Sequence, residues 1–64
     1  MKNIVKQLRE QHDLSQQKLA DLLEVSRQTI NSIENGRYDP SLPLAFKIAK
    51  HFSQTIESVF DDGA

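Results

Sequence analysis

The sequence predicts an all-α fold of five short helices. Apolar residues recur at intervals of three and four along most of the chain, which is the spacing of one helical face. A serine stands directly before three of these runs, where its hydroxyl can accept hydrogen bonds from the free N–H groups of a first helical turn. We expect no strand, and a chain of 64 residues forms one domain over residues 1–64.

The predicted helices cover about residues 2–12, 16–23, 27–35, 42–52 and 55–60. Ser15, Ser26 and Ser41 are the predicted N-caps of the second, third and fourth helices. Pro43 fits the first turn of the fourth helix, where its missing N–H has no intrahelical partner to lose. The apolar residues expected to face the core are Ile4, Val5, Leu8, Leu19, Ala20, Leu22, Leu23, Val25, Ile30, Ile33, Leu44, Ala45, Ile48, Ala49 and Phe52.

The second and third helices form a distinctive pair within residues 15–36. Only Glu24 and Val25 separate them, and so short a connection makes two helices cross instead of lying antiparallel. Gly36 follows the third helix at the position where a left-handed residue usually closes a helix. The outer face of the third helix is polar, with the residues Arg27, Gln28, Asn31, Ser32 and Asn35. This is the layout of a helix-turn-helix motif that binds DNA.

The chain resembles the Cro and phage-repressor type of helix-turn-helix domain, the xenobiotic-response-element-like family. The resemblance spans about residues 4–60, with the motif itself at about residues 16–35. It is carried by Leu14-Ser15-Gln16, Leu19-Ala20, Val25-Ser26-Arg27-Gln28-Thr29-Ile30, Ile33-Glu34-Asn35-Gly36, Pro40-Ser41-Leu42 and Ile56-Glu57. It implies a five-helix, lambda-repressor-like domain whose third helix enters the major groove of double-stranded DNA.

Residues near the start of the third helix are the predicted base readers. Arg27 can donate two parallel hydrogen bonds to a guanine, and Gln28 can pair with the donor and acceptor of an adenine. Each such pairing discriminates against a wrong base by about 1–3 kcal/mol. The resemblance places the family's base contacts on Arg27, Gln28 and Ser32, and Asn31 lies between them, within reach of either a base or a phosphate.

A second group of residues is predicted to hold phosphates. Gln16 begins the second helix, whose free N–H groups and positive dipole end attract an anion, and its side chain adds a donor. The resemblance supports this role for Gln16 and implies backbone contacts for Asn35, Arg37 and Tyr38. Thr29 is a further candidate for a contact with the DNA backbone. Contacts of this kind set the register without reading sequence.

The resemblance also implies a structural ion pair between Arg9 on the first helix and Glu34 on the third. If the pair is buried, loss of one partner strands a charge and costs about 3–5 kcal/mol. If the pair is exposed to solvent, it contributes less than about 1 kcal/mol.

Two residues depart from the family pattern at helix ends. Glu24 and Ser53 stand where glycine is common. A left-handed conformation costs a residue with a side chain roughly 1–2 kcal/mol. We therefore expect a strained turn at Glu24, and a fourth helix that frays or closes differently at Ser53.

Composition limits the classes of function. The formal net charge is −1, whereas DNA-binding domains usually carry a basic surplus. The chain has no cysteine and no apolar run of about 18 residues, which leaves no thiolate metal site and no membrane span. His12 and His51 have no partners at ligand spacing and are expected on the surface. We expect no metal, no cofactor and no small-molecule ligand, and a cytoplasmic location.

The sequence as a whole favours a homodimeric transcriptional repressor that binds a palindromic operator. Its expected dimer surface is the fifth helix, where Ile56, Val59 and Phe60 leave apolar area that a small domain cannot cover. Two alternatives stay open: the antitoxin and autorepressor of a toxin–antitoxin pair, and a module that binds protein instead of DNA. An enzyme is the poorest candidate, since no nucleophile, base or metal constellation is present at suitable spacing.

Overall fold

The computed structural model describes residues 1–63, and its helices agree with the predicted ones to within a few residues. Ser15, Ser26 and Ser41 are confirmed as N-caps, because each hydroxyl accepts the backbone N–H three residues further on, at 3.0–3.3 Å. The helices of the described residues are α1 (Val5–Gln11), α2 (Gln16–Leu23), α3 (Arg27–Glu34), α4 (Leu42–His51) and α5 (Ile56–Val59).

The expectation of no strand is wrong at the two ends of the described chain. Strand β1 (Lys2–Asn3) pairs antiparallel with β2 (Phe60–Asp61), with Lys2 opposite Asp61 and Asn3 opposite Phe60. A further bond from Ile4 N–H to the Val59 carbonyl extends this ladder at 3.0 Å. The pairing uses backbone groups that longer first and fifth helices would otherwise have taken up, so α1 begins at Val5 and α5 ends at Val59.

Asn3 joins the strand pair to two helices. Its Oδ1 accepts the Val5 N–H at the start of α1 at 3.1 Å, and its Nδ2 donates to the Ile33 carbonyl near the end of α3 at 2.8 Å. The side chain satisfies one free donor at the start of α1 and gives a second donor to the Ile33 carbonyl, which also accepts the Gly36 N–H at 3.0 Å. The small sheet is therefore tied directly to the C-terminal end of α3.

The core lies between the helices and includes the apolar end of β2. Its buried members are Val5, Leu8, Leu19, Ala20, Leu23, Ile30, Ile33, Ala45, Ile48, Ala49, Phe52, Val59 and Phe60. Ile4, Leu14, Val25, Leu44 and Ile56 are partly buried and pack against them. The prediction that Leu22 faces the core is wrong. Leu22 is 47% exposed, because it lies on the side of α2 that faces away from the buried residues of that helix.

Four helices end with the same left-handed closure. The residues with positive φ at these four helix ends are Asp13 (55°), Glu24 (60°), Gly36 (72°) and Ser53 (56°). In each case the next N–H reaches back to a carbonyl five residues earlier, as in Gln54 to Ala49 at 2.8 Å and Val25 to Ala20 at 3.0 Å. The left-handed turn at Glu24 is confirmed, and so is the one at Gly36. The fourth helix closes regularly at Ser53, so the expected irregular end is wrong.

Relieving the strain at Glu24 is expected to stabilise the protein. Glu24→Gly removes the cost of a left-handed backbone conformation in a residue with a side chain. It also removes the ion pair between Glu24 and Lys47, which contributes little because it is exposed and 4.0 Å long. We expect the free energy of unfolding to rise by about 1 kcal/mol, measured by urea denaturation. Glu24→Ala is the matched control, because it loses the same ion pair but keeps a Cβ; equal effects of the two variants would contradict the strain.

Candidate nucleic-acid interface

Helices α2 and α3 cross around a short turn that is packed on the core. Leu19, Ala20 and Leu23 on α2 are buried together with Ile30 and Ile33 on α3. Val25, the residue after the left-handed Glu24, is partly buried against the same core. Packing on one side of α3 therefore fixes which of its residues point to solvent.

One exposed row on α3 runs along Arg27, Asn31 and Asn35. These residues are four apart and share one face of the helix, and all three are exposed. The Asn35 Nδ2 donates to the Asn31 Oδ1 at 3.1 Å, so the two amides are oriented by one another. Arg27 stands at the first position of the helix, and its guanidinium has no hydrogen bond among the described residues. The row presents a cation and an ordered amide pair to solvent.

A second row places Gln28 and Ser32 beside Tyr38. The backbone N–H groups of Arg37 and Tyr38 both donate to the Ser32 carbonyl, at 2.9 and 3.3 Å, which folds the loop after Gly36 back onto α3. Gln28, Ser32 and Tyr38 then line a shallow cleft together with Ser26 and Thr29. Sequence reasoning gave these residues separate roles and missed the cleft, although the closure at Gly36 is the signal that turns the loop back.

Thr29 and Arg37 occupy different surroundings at the two ends of α3. Thr29 is half-buried, and its hydroxyl lies 2.9 Å from the Oγ of Ser26, the residue that caps the helix. Arg37 is exposed beside the end of the helix. Its charge, like that of Arg27, is therefore available to an anion at this face.

Gln16 stands at the first position of α2, directly after its capping serine. Its side chain is half-buried, and its Nε2 donates to Glu34 Oε1 at 3.0 Å. The N–H groups of a first turn and the positive end of the helix dipole favour an anion at this end of α2. Sequence reasoning placed Gln16 and Glu34 in separate functions, so their hydrogen bond was not foreseen.

Arg9 and Glu34 form a buried, two-point ion pair. Arg9 Nε donates to Glu34 Oε2 at 2.7 Å and Nη2 donates to Oε1 at 3.2 Å, and the side chains are 11% and 2% exposed. Arg9 Nη1 donates further to the Leu14 carbonyl at 2.8 Å, just before α2. The pair therefore connects α1, the entry to α2 and the last residue of α3.

Arg9 keeps its charge throughout the neutral pH range. The hydrogen bond to Glu34 raises the pKa of Arg9 above its ordinary value and outweighs the opposite effect of burial. For a base whose pKa rises on folding, the stabilisation is complete below the ordinary pKa and is lost only as the pH climbs through the raised value. Its contribution is therefore constant around neutral pH.

The three predicted dimer residues differ in their exposure within one chain. Val59 is 2% exposed and Phe60 is 7% exposed within one chain, because the β1–β2 pairing folds this segment against the core. Only Ile56 keeps part of its surface in solvent. Ile56 and Phe60 line an apolar groove with Met1, Pro40, Leu42 and Ala45, and Leu42 is 63% exposed.

The two histidines lie near Phe52 at the end of α4. Both rings meet the Phe52 ring edge-on with centroids 5.0 Å apart, and His12 Nδ1 lies 2.8 Å from the Leu8 carbonyl. Among residues 1–63, no group of three metal-ligating side chains comes together. Over the same residues, no helix is long and apolar enough to cross a bilayer.

A family model described as helix-turn-helix, HTH_3, matches residues 5–58, a range that includes α2, the turn and α3. The chain belongs to this helix-turn-helix family. The resemblance drawn from the sequence is thereby confirmed, and the five helices agree with the compact helical fold that it implied.

Similar helix-turn-helix proteins occur in archaea and bacteria. The chain is 60% identical to an uncharacterised HTH-type transcriptional regulator of Methanocaldococcus jannaschii. The match spans 60 residues, which are 94% of this chain and 91% of that protein. It is 53% identical over 60 residues to the uncharacterised HTH-type transcriptional regulator YgzD of Bacillus subtilis, with the same coverage of both chains. An uncharacterised HTH-type transcriptional regulator of Archaeoglobus fulgidus is 42% identical to this chain. The match covers 94% of this chain and 84% of that protein.

Glu34→Ala is expected to lower the free energy of unfolding by about 3 kcal/mol, because it leaves the partly buried Arg9 charge without its carboxylate partner. Thermal and urea denaturation measure the loss. The double variant Arg9→Met/Glu34→Leu is the control, since it removes both charges and fills the space with apolar atoms. It is expected to unfold within about 1–2 kcal/mol of the unchanged protein. A small loss for Glu34→Ala would contradict a buried role.

Proposed function

We propose that the chain, a DNA-binding transcription regulator by its family, works as a homodimeric repressor that binds a palindromic operator through α3. The observation that carries this proposal is the face of α3, where Arg27, Gln28, Asn31 and Ser32 lie on the side opposite the buried Ile30 and Ile33. The uncharacterised transcriptional regulators to which the chain is similar support the coarser part of this proposal, transcription regulation. Occupation of a promoter by such a dimer blocks transcription without any catalytic step.

Base reading falls to the first turn and a half of α3. The major groove admits one helix, and side chains near its start reach the base edges. Arg27 and Gln28 are exposed there, and both carry paired hydrogen-bonding groups that match guanine and adenine. Ser32 lies one turn further along, in the cleft with Tyr38, and Asn31 is held by Asn35. We assign base contacts to Arg27, Gln28, Ser32 and Asn31.

Phosphate contacts fall on both sides of the reading helix. Gln16 and the first turn of α2 offer a helix start to one phosphate. Asn35, Arg37 and Tyr38 lie at the C-terminal end of α3, where the loop turns back, and Thr29 lies beside the cap at its start. Contacts at both ends of α3 would fix its depth and register in the groove.

Dimerisation is assigned to the apolar groove, which Ile56 and Phe60 help to line, rather than to Val59. Leu42 and Ile56 flank this groove, and one chain leaves Leu42 63% exposed. A small domain with so modest a core gains stability from covering such area. The Cα atoms of one chain extend over 31 × 22 × 19 Å. Two domains of this size side by side can present their α3 helices about 34–36 Å apart, one turn of B-DNA.

Substitutions in the two groups of residues are expected to act differently on DNA binding. Arg27→Ala removes a base contact and relaxes the preference at one operator position by about 1–3 kcal/mol. Gln16→Ala removes a phosphate contact and weakens binding to all duplexes alike. Selection of bound duplexes from a random pool gives the operator, and titration of single-base variants at fixed salt measures both effects.

A palindromic site among the selected duplexes is the expected result, and an enriched site without two-fold symmetry would contradict the dimer. Equal loss of preference for Arg27→Ala and Gln16→Ala would contradict the division of roles. Lys50→Ala is the control, because Lys50 lies on α4 over the Phe46 ring, outside the proposed contacts. Binding that is independent of salt would contradict a phosphate interface and favour a protein partner.

Leu42→Glu is expected to convert the dimer to a monomer. The substitution places a charge in the apolar groove and weakens the contact between the two subunits. Each 1.4 kcal/mol of lost contact free energy raises the dissociation constant of the dimer about tenfold. Sedimentation across a concentration series measures it. Leu22→Glu is the matched control, because Leu22 is an exposed leucine of α2 and does not line the groove. Similar dissociation by both variants, or a monomer at every concentration before substitution, would contradict the assignment.

A further inference from the structure

The side chain proposed to bind a phosphate is already held by another residue. Gln16 Nε2 donates to Glu34 Oε1 at 3.0 Å, across from α2 to the last residue of α3. The neighbouring glutamine behaves differently: Gln17 Nε2 donates to Asp21 Oδ1 at 2.9 Å, within α2 and in solvent. Of these two glutamine amides, only that of Gln16 is therefore fixed by a residue outside its own helix.

A glutamine amide nitrogen carries two hydrogens that point in different directions. The hydrogen bond to Glu34 uses one of them, and the second stays available to a phosphate oxygen. A side chain whose position is already fixed loses less conformational freedom when it binds, and a long side chain such as glutamine has much to lose. Holding Gln16 in place before binding therefore favours binding.

A carboxylate beside a phosphate site would normally oppose binding. Glu34 does not act as a free charge here, because Arg9 donates to both of its oxygens and the Glu34 side chain is 2% exposed. The ion pair is close to neutral as a unit. Glu34 Oε1 accepts from both Arg9 and Gln16, at 3.2 and 3.0 Å, so the same oxygen takes part in the ion pair and in the orientation of the amide.

We propose that Glu34 is a positioning residue for DNA binding: it holds the Gln16 amide at the start of α2 in the orientation that meets a phosphate. This rests on the proposed function, in which Gln16 binds the DNA backbone. Arg9 takes part by holding both Glu34 and the Leu14 carbonyl, the two groups on either side of Gln16. The buried pair then has two tasks, stability and the preparation of the phosphate contact.

A double-mutant cycle on DNA affinity tests the proposal. Glu34→Gln is measured alone and in the Gln16→Ala background, at a temperature where circular dichroism shows every variant folded. Glu34→Gln is expected to weaken operator binding about tenfold when Gln16 is present, the size of one charge-assisted hydrogen bond. In the Gln16→Ala background the same change is expected to have almost no effect, because the amide that it positions is gone.

The outcomes distinguish failure of the proposed phosphate contact of Gln16 from failure of the positioning role of Glu34. If Gln16→Ala binds the operator as well as the control Gln17→Ala does, the phosphate role of Gln16 is wrong and the positioning role falls with it. If Gln16→Ala weakens binding but Glu34→Gln costs the same in both backgrounds, the proposed phosphate contact stands and the positioning role is overturned. An equal cost in both backgrounds is what a purely structural residue gives.

A second measurement needs no DNA. In nuclear magnetic resonance spectra, Glu34→Gln is expected to shift the side-chain amide signals of Gln16 and to speed their exchange with water, and to leave those of Gln17 unchanged. Unchanged Gln16 signals would overturn the proposal. If Glu34→Gln does not fold, Arg9→Met/Glu34→Leu takes its place in the cycle and in the spectra, because it removes the acceptor without stranding a charge.

Discussion

The structure depends on one buried contact, the ion pair between Arg9 and Glu34. Three N–H groups of a single guanidinium reach the Glu34 carboxylate and the Leu14 carbonyl, so α1, the entry to α2 and the end of α3 are fixed at one point. Apolar packing alone sets the distance between two helices but leaves sliding and rotation weakly determined, whereas a directional two-point contact restricts both. In the proposed interface, the angle between α2 and α3 decides whether a phosphate and the base edges can be reached together. The ion pair therefore connects the stability of the fold with the geometry of the interface.

The helix ends show how the same chain accepts local strain. Three of the four left-handed closures carry side chains, at Asp13, Glu24 and Ser53, and only Gly36 avoids the cost. At two of these ends the residue that follows, Leu14 or Val25, packs against the core and so offsets the strain by burial. Gly36 differs in its surroundings as well, because a Cβ there would lie 3.3 Å from the Met1 carbonyl oxygen. The glycine stands where the loop carrying Arg37 and Tyr38 must turn back on α3.

The sequence predicted the parts of the fold that depend on local patterns. Helical periodicity and capping serines act within one turn, so α2 was predicted residue for residue and α3 and α4 to within one residue. The strand pair could not be foreseen, because two residues make no alternating pattern and the pairing joins Asn3 to Phe60 across the chain. The burial of Val59 and Phe60 follows from that pairing, and so was missed with it. On the interface, the exposed face of α3 followed from periodicity, while the hydrogen bond of Gln16 to Glu34 depends on how two helices cross.

The low net charge is compatible with DNA binding because the charges are separated in space. The one acid of α3, Glu34, is neutralised by Arg9, which leaves Arg27 and Arg37 as the charges of the proposed reading face. Asp39, Glu57 and Asp61 lie instead around the grooves near the strand pair. The salt dependence of DNA affinity reflects the number of phosphates neutralised by cations, whereas a glutamine amide and a helix start release fewer counterions. A face with two arginines and several neutral donors therefore derives little of its affinity from charge and more from geometry. In the proposed interface, affinity depends on how rigidly Gln16 and α3 are held, and the Arg9–Glu34 pair contacts both.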